Sequence, residues 1–256
     1  MQPNIFPIII SITIITALLA ALWRIGLRKL KSYNSPILGK IKVLQKYNGE
    51  KVLTTNSYIQ GISTEKDSIK LSYWYCVAKQ AGDFCKRVKD PEVLMLGLGA
   101  NTIPNLISHL NPAAHQTIVE IDDYIIKACR EFFNLDALPN YQLIQADAFK
   151  LLSRENAFVE KKFDVIIIDI FNGNPPYVDI KSNHPDFITS LLPYLKKDGM
   201  VIFNRPGHTE SVRSDSQKLE NYLSALFAKT KSFDIKDPRG FRNTVITAHM
   251  KRQKLS

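Results

Sequence analysis

The strongest constraint on the fold is a strand, turn, helix and strand pattern over residues 93–122. An apolar run ends in Gly97 and Gly99, a helical pattern follows, and a second apolar run ends at Glu120. The two glycines allow a sharp backbone turn close to a ligand, and the carboxylate can accept both hydrogen bonds of a ribose diol. No third glycine follows Gly99, which disfavours a dinucleotide pyrophosphate packed on the helix. The pattern therefore predicts an α/β unit that binds another ribose-bearing cofactor.

After this unit, apolar strands alternate with helical segments. We predict strands at residues 141–146, 163–168, 200–204, 233–236 and 244–249, and helices at 123–133, 149–161, 185–195 and 214–228. Strands that alternate with helices form a parallel sheet with both faces covered. The main part of the chain is therefore predicted to be an α/β domain.

Three successive strands of the predicted sheet end in an acidic residue: Glu120, Asp147 and Asp169. Because the carboxyl ends of parallel strands meet in one crevice, we expect the three carboxylates to face a single ligand. Helix capping is the alternative for each acid taken alone, and Asp147 directly precedes a helical segment. Three acids in succession are more than capping requires, which favours a binding site.

Residues 5–23 are uncharged and almost wholly apolar. At about 1.5 Å per residue, a helix of this length nearly matches a hydrocarbon core of about 30 Å, so we predict one transmembrane helix. A cleaved signal peptide is the alternative, but the basic residues follow the apolar run instead of preceding it. The same charge asymmetry predicts that the rest of the chain faces the cytoplasm.

Between the apolar segment and the α/β domain, short alternating segments surround an Asn-Gly pair at residues 48 and 49, a strong hairpin signal. We divide the chain into a transmembrane anchor with a basic juxtamembrane segment (1–34), a small β-hairpin domain (35–70) and a Rossmann-like domain (71–256). A sheet of three or four short strands is unstable alone, so the small domain should pack against the larger one.

Charge and composition disfavour several classes of function. The net charge is +10, but seven bases and no acid precede Glu50, which leaves +3 for the remainder and disfavours nucleic-acid binding. The three cysteines show no disulfide or metal-type spacing, and the five histidines are scattered, so no metal site is predicted.

At the level of motifs, the chain resembles S-adenosylmethionine-dependent transferases of the spermidine synthase type, within the class I methyltransferase-like fold. The resemblance covers residues 35–250. Its motifs are Leu-Gly-Leu-Gly at 96–99, Glu-Ile-Asp at 120–122, Asp-Ala at 147–148, Phe-Asp-Val-Ile-Ile-Ile-Asp at 163–169, Leu-Lys-Lys-Asp-Gly at 195–199 and a segment that ends in Gln60. The implied fold is a Rossmann-like S-adenosylmethionine-binding sheet preceded by a small antiparallel β domain and, from hydropathy, by the transmembrane helix.

The resemblance also implies roles for single residues. The cofactor, S-adenosylmethionine or its decarboxylated form, would be bound by Gln60, Gly97, Gly99, Glu120, Asp147 and Ala148. The glycines would shape the turn at the methionine part, Glu120 would hold the ribose, and Asp147 with Ala148 would border the adenine. Asp169 would be the catalytic acid that orients or deprotonates an attacking amine, because an ammonium is no nucleophile until it loses a proton.

The sequence departs from this family at several positions. Ala100 stands where the family's glycine turn carries an aspartate, and Asn172 stands where a second acid follows the reacting one. Tyr73 and Trp74 begin a Tyr-Trp-Tyr triplet in place of Tyr-His/Gln-Glu, and Asp237 replaces a tyrosine. Because buried ammonium groups without partners are costly, the loss of two anionic anchors disfavours a diamine acceptor. We expect Tyr73, Trp74 and Asn172 to line a more aromatic substrate pocket, with core packing as the alternative for Trp74.

We therefore expect a transferase that moves a small group to an unidentified small acceptor, with methyl transfer ahead of aminopropyl transfer. Methyl transfer needs little beyond alignment and desolvation, so missing amine anchors need not prevent it. The alternatives are an aminopropyltransferase with an altered amine site and a non-catalytic interaction module on the same fold. The expected partners are the small acceptor, a membrane at the N-terminal helix and, in view of the family, a second copy in a homodimer.

Overall fold

The structure, a computed structural model, describes residues 26–63, 67–154, 157–158, 160–171, 180–207 and 209–250. Within these residues the chain forms a four-stranded sheet, a seven-stranded sheet and six α-helices. The two sheets correspond to the predicted small β domain and the predicted α/β domain.

The small sheet is antiparallel and lies at the start of the described chain. It consists of β1 (Arg28–Ser35), β2 (Gly39–Gln45), β3 (Lys51–Thr55) and β4 (Tyr58–Ile62), in that order. Gly49, with a φ of +86°, lies in the predicted turn between β2 and β3. The sheet starts at Arg28, within the segment predicted to be juxtamembrane. Strand β1 was not predicted because it is a mostly exposed edge strand, and its basic residues hide the alternation typical of a strand.

The large sheet has the order β10-β11-β9-β8-β5-β6-β7. Its strands are β5 (Glu92–Leu96), β6 (His115–Glu120), β7 (Tyr141–Gln145), β8 (Phe163–Ile168), β9 (Leu195–Pro206), β10 (Lys229–Lys236) and β11 (Arg242–His249). The five strands from β5 to β9 pair in parallel, whereas β11 runs antiparallel to β9 and to β10 at one edge. The parallel order reverses direction beside β5, which is where open α/β sheets form their ligand crevice.

Helices connect the strands and cover both faces of the large sheet. They are α1 (Tyr73–Cys85), α2 (Thr102–Leu110), α3 (Asp123–Phe132), α4 (Ala148–Leu152), α5 (Pro185–Leu191) and α6 (Glu210–Leu226), with 3-10 helices at Asp67–Leu71, Leu135–Ala137, Ile180–Asn183 and Leu192–Tyr194. Helix α4 stops at Leu152, well before the predicted end at residue 161. The Leu-Lys-Lys-Asp-Gly motif at residues 195–199 forms the start of β9, next to an irregularity in its pairing with β8.

Strand β5 shows why the central strands are apolar throughout. Val93 and Met95 belong to the core cluster formed with α1, α2, α3 and the small sheet, whereas Leu94 and Leu96 belong to the cluster formed with α4, α5 and α6. Alternate side chains of a strand point to opposite faces, so a strand covered on both faces has no polar side. The hydroxyl of Ser35 donates to Asp122 at the start of α3, which fixes the small sheet beside the crevice.

The predicted transmembrane helix is wrong. No helix among the described residues is long and apolar enough to cross a membrane. The prediction was based only on the apolar composition of residues 5–23. These residues lie outside the described part of the chain. We correct the fold class to an α/β Rossmann-like sheet with a small antiparallel sheet, and we withdraw the single-pass, cytoplasm-facing location that depended on the anchor.

Candidate active site

A cavity of about 250 Å³ opens at the carboxyl ends of the parallel strands, between the large sheet and the small one. It is lined by the residues predicted to bind the cofactor and by the predicted catalytic acid: Gln60, Gly97, Gly99, Glu120, Asp147, Ala148 and Asp169. The structure therefore brings together residues that lie more than 100 positions apart in the sequence. Of the remaining predicted residues, Tyr73 and Trp74 lie in the core, and Asn172 lies outside the described residues.

The glycine turn after β5 positions the strands on both sides of it. Gly97 has a φ of +94°, and a Cβ atom there would overlap the carbonyl oxygen of Asp169. Gly99 has a φ of +56°, and a Cβ atom there would lie 2.8 Å from the carbonyl oxygen of Gln60. Both positions combine left-handed backbone with a close approach, which only glycine tolerates well. The turn thus lets the middle of β4 and the residue after β8 come close to the cavity.

The carboxylate of Glu120 is fixed at the end of β6 by backbone donors. Its Oε2 accepts from the amide of Leu98 at 2.9 Å, and its Oε1 accepts from the amide of Asp122 at 2.9 Å. Burial raises the pKa of Glu120, and these backbone hydrogen bonds act in the opposite direction. Each carboxylate oxygen has a second lone pair, so the fixed group can still accept from a ligand diol.

Asp147 caps a helix, which is the alternative that the sequence left open for it, and it also lines the cavity. Its Oδ1 atom accepts from the amides of Phe149 at 2.9 Å and of Lys150 at 3.3 Å, so it is the N-cap of α4. The same residue lines the cavity beside Ala148. Capping therefore holds the carboxylate at the edge of the site.

The apolar part of the cavity includes residues that were not predicted. Ile37 and Leu38, in the turn between β1 and β2, lie on the cavity wall together with Ile121 and Phe149. Ile37 is 48% exposed. An apolar pair in an otherwise polar hairpin was the available signal in the sequence. These side chains form a wall suited to a flat heteroaromatic ring.

Asp169 is held by a relay of two buried asparagines. Asn204, on β9, donates through Nδ2 to Oδ1 of Asp169 at 2.7 Å, and Asn243, on β11, donates to Oδ1 of Asn204 at 2.9 Å. Because Asn243 occupies the amide oxygen of Asn204, the amide nitrogen is directed at the carboxylate. Burial raises the pKa of Asp169 to about 6, and the hydrogen bond from Asn204 acts against that rise. Neither asparagine was predicted, although Asn204 ends an apolar strand as the three acids do.

A row of aromatic side chains runs from the cavity wall to α1. Tyr73 and Trp74 form the first turn of α1, with ring centroids 4.5 Å apart. Phe171, which lines the cavity, is 6.4 Å from Tyr58 between ring centroids. Phe241 lies 6.4 Å from Tyr58 and 5.9 Å from Trp74. A continuous row of rings therefore joins the cavity wall to Trp74.

Metal binding is not suggested by the side chains that the structure describes. Within those ranges, no three His, Cys, Asp or Glu side chains come together in a group that could hold an ion. The chemical groups at this site are carboxylates, amides and aromatic rings.

Comparison with known proteins adds a family to this geometry. Residues 82–253 match the spermine/spermidine synthase domain. The polyamine aminopropyltransferase of Vibrio vulnificus (strain CMCP6) is 25% identical over 160 residues, which are 62% of this chain and 50% of that protein. The match therefore spans about half the length of this curated relative.

Solved structures share the fold. A probable spermidine synthase from Corynebacterium glutamicum ATCC 13032 superposes with a TM-score of 0.69 at 18% identity, over 88% of this chain and 81% of that one. A spermidine synthase in complex with the transition state analogue AdoDATO gives a TM-score of 0.67 at 18% identity, over 88% and 73% of the two chains. The likeness extends over both sheets, since it covers most of the described chain.

Proposed function

Because the chain belongs to the spermine/spermidine synthase domain family, we propose that it transfers an aminopropyl group from decarboxylated S-adenosylmethionine to a small amine. The sequence alone ranked methyl transfer first, because two amine anchors are missing. Family membership reverses that order, and methyl transfer has no support from the comparisons. The observation that carries the proposal is the carboxylate of Asp169, held by Asn204 beside the glycine turn.

The charge of the cavity supports the decarboxylated donor. The described lining residues carry three carboxylates, Glu120, Asp147 and Asp169, and one ammonium, Lys181. The decarboxylated donor has a sulfonium and an ammonium but no carboxylate, so it is the more cationic of the two cofactors. An anionic cavity binds the more cationic ligand better, since a buried carboxylate of the ligand would need a cationic partner.

The residues around the cavity fit an adenosyl group. We assign the ribose hydroxyls to Glu120, whose carboxylate is already oriented by backbone amides. We assign the adenine to the wall formed by Ala148, Ile37 and Leu38, with Asp147 at its polar edge. The sulfonium end would then lie toward Gly97 and Asp169.

Asp169 has the position and acidity for an amine reaction. When bound, the donor supplies an activated carbon, so the new C–N bond replaces the C–S bond, the thioether leaves with the electron pair, and the amine nitrogen loses a proton. With a pKa of about 6, Asp169 is ionised at neutral pH and can hold the ammonium and take that proton. Asn204 keeps one oxygen of Asp169 oriented, which leaves the other for the amine.

Incubation of the full chain with a mixture of small amines and either cofactor tests the proposal. We expect an aminopropylated amine and 5′-methylthioadenosine from the decarboxylated donor, and no methylated amine from S-adenosylmethionine, as detected by mass spectrometry. Methylated product without any aminopropylated product would overturn the proposal. If neither cofactor raises the melting temperature, the cavity is not a cofactor site and the non-catalytic alternative holds.

A further inference from the structure

A second buried carboxylate lies near the proposed reacting centre. Burial, and then the carboxylates of Asp169 and Asp237, raise the pKa of the Tyr73 hydroxyl well above its usual value. The ring of Tyr73 lies 4.5 Å from that of Trp74, between ring centroids. Asp237 follows β10, on the antiparallel edge of the sheet, and is almost completely buried. An acceptor that followed the row of rings from Phe171 toward Trp74 would approach this acid, because Arg239, two residues after Asp237, lies over Trp74.

Asp237, however, already has a cationic partner. Arg239 donates from Nε to Oδ1 at 2.7 Å and from Nη2 to Oδ2 at 2.5 Å, and its backbone amide donates to Oδ1 at 2.8 Å. This is the two-pronged geometry in which arginine binds a carboxylate most strongly, and arginine does not lose its charge. Arg239 therefore neutralises the charge of Asp237, and a neutral pair offers no net attraction to a second ammonium.

Arg239 also occupies one face of the Trp74 ring. The guanidinium of Arg239 lies over the ring of Trp74, 5.5 Å from its centroid. A second cation at that face of Trp74 would be repelled by the first. In the described part of the chain no ion pair involves Asp169, so of the two acids near Tyr73 it alone is left to hold a substrate ammonium.

We propose that the Asp237–Arg239 pair determines acceptor specificity, so that the site takes a primary amine with one ammonium and an apolar body and rejects a diamine of the same length. This inference rests on the proposed function. The apolar body of the acceptor would lie against the row of rings formed by Phe171, Tyr58 and Phe241. A second ammonium at the same place would lose its water without gaining an anion, which is strongly unfavourable.

The test uses two acceptors that differ only at the far end, n-pentylamine and 1,5-diaminopentane. With the decarboxylated donor, we expect kcat/KM for the monoamine to exceed that for the diamine by at least about tenfold. Equal values, or a preference for the diamine, would overturn the inference while leaving aminopropyl transfer intact. Calorimetric titration of each amine in the presence of 5′-methylthioadenosine provides a readout that does not depend on turnover.

The two readouts separate the two hypotheses. If the monoamine binds more tightly but neither amine is aminopropylated, the proposed function fails, and only the binding preference for one ammonium is retained. If the diamine binds as tightly as the monoamine, or if neither binds, the specificity inference fails.

Substitution of the arginine provides a gain of function. Arg239→Gln should release Asp237 and shift the ratio of kcat/KM values toward the diamine by at least about tenfold, with the donor KM unchanged. The double variant Asp237→Asn/Arg239→Gln removes the released acid and should restore the preference for the monoamine. Arg213→Gln is the matched control, because Arg213 donates to the carbonyl of Gly207 and pairs with no acid in the described residues.

Melting curves show whether each variant is folded. If Arg239→Gln unfolds because the charge of Asp237 is left uncompensated, the specificity inference is tested by the wild-type ratio of kcat/KM values and by the double variant. A folded Arg239→Gln protein that still prefers the monoamine would show that Asp237 does not face the acceptor.

Discussion

The proposed cofactor side of the crevice is held by backbone geometry, whereas the proposed acceptor side is held by side chains from distant segments. Glu120 accepts from the amides of Leu98 and Asp122, and Asp147 accepts from the two amides that follow it in α4. On the acceptor side, Asn204 lies 35 residues from Asp169, and Asn243 lies 39 residues from Asn204. One side depends on local motifs, and the other depends on strand register.

Because the two sides of the crevice are held differently, substitutions should affect them differently. Backbone amides are present whatever the side chains are, so the cofactor side can stay constant while residues around it change. A side-chain relay is altered by a single substitution, so acceptor choice can change without loss of the donor site. Substitutions on the two sides should therefore affect different kinetic constants.

The largest effect is expected on the acceptor side. Asp169→Asn removes the group proposed to hold the amine and take its proton, and kcat should fall by roughly 10²- to 10⁴-fold. The dissociation constant of the donor should rise by a smaller factor, no more than about tenfold, because two of the three cavity carboxylates remain. Turnover and donor binding are measured separately by product formation and calorimetry.

Asp164→Asn is the matched control for this variant. Asp164 is a buried acid near the other end of the same strand, paired with Lys196 at 2.6 Å. Its substitution should lower stability and leave kcat within a few-fold of wild type. A normal kcat for Asp169→Asn would remove Asp169 from the reacting centre.

On the cofactor side, the largest effect is expected from the glycine turn. Gly97→Ala combines left-handed backbone with overlap on Asp169, and it should lower the free energy of unfolding by roughly 2–4 kcal/mol. Gly49→Ala is the control, because Gly49 also has positive φ, and a Cβ atom there would meet no atom of the described residues within 4 Å. It should cost only about 1–2 kcal/mol in urea unfolding. Equal costs at the two glycines would mean that the approach to Asp169 is not tight.

Glu120→Gln should separate donor binding from chemistry. Hydrogen bonds to a charged group are worth about 1.5–3 kcal/mol, so the donor should bind roughly 10- to 100-fold more weakly. The value of kcat at saturating donor should stay within a few-fold of wild type, since Glu120 is assigned to the ribose and not to the amine. A fall in kcat with unchanged donor affinity would place Glu120 on the acceptor side of the crevice instead of the cofactor side.

The sequence predicted the cofactor side better than the acceptor side, and the reason is physical. Gly97, Glu120 and Asp147 follow apolar strands directly, and the carboxyl ends of parallel strands converge, so order along the chain is enough to bring them together. The partnership of Asn204 with Asn243 depends instead on the antiparallel pairing of β9 with β11. No periodicity in one segment reveals the register of another.

Strand β1 and the surroundings of Trp74 were also not evident from the local sequence. Strand β1 was missed because an exposed edge strand has no buried face to impose alternation. Trp74, for which the substrate pocket and core packing were both open, is only 1% exposed and packs between Tyr73, Phe241 and Arg239. Its neighbours Phe241 and Arg239 come from the end of the sheet, more than 160 residues later, so local sequence gave no indication of them.

The smallest expected effect tests the relay itself. Asp169 must be ionised to take a proton, so kcat/KM should fall on the acidic side with a limb near its pKa of about 6. Asn204 stabilises the ionised form, and Asn204→Ala should therefore raise the pKa of Asp169 and move that limb to higher pH by roughly one unit. The loss of activity should be greater near pH 6 than at pH 9, where Asp169 is ionised in both proteins.

Asn243→Ala should move the limb in the same direction but by less, because Asn204 keeps its amide and loses only the neighbour that orients it. Asn105→Ala is the matched control, since Asn105 donates to the carbonyl of Phe133 away from Asp169, and its limb should not move. A purely structural role for Asn204 would lower activity equally at all pH values. A limb that moves with Asn204 and, more weakly, with Asn243 would instead show that charge on the acceptor side is set by residues on two other strands, which backbone contacts on the cofactor side do not require.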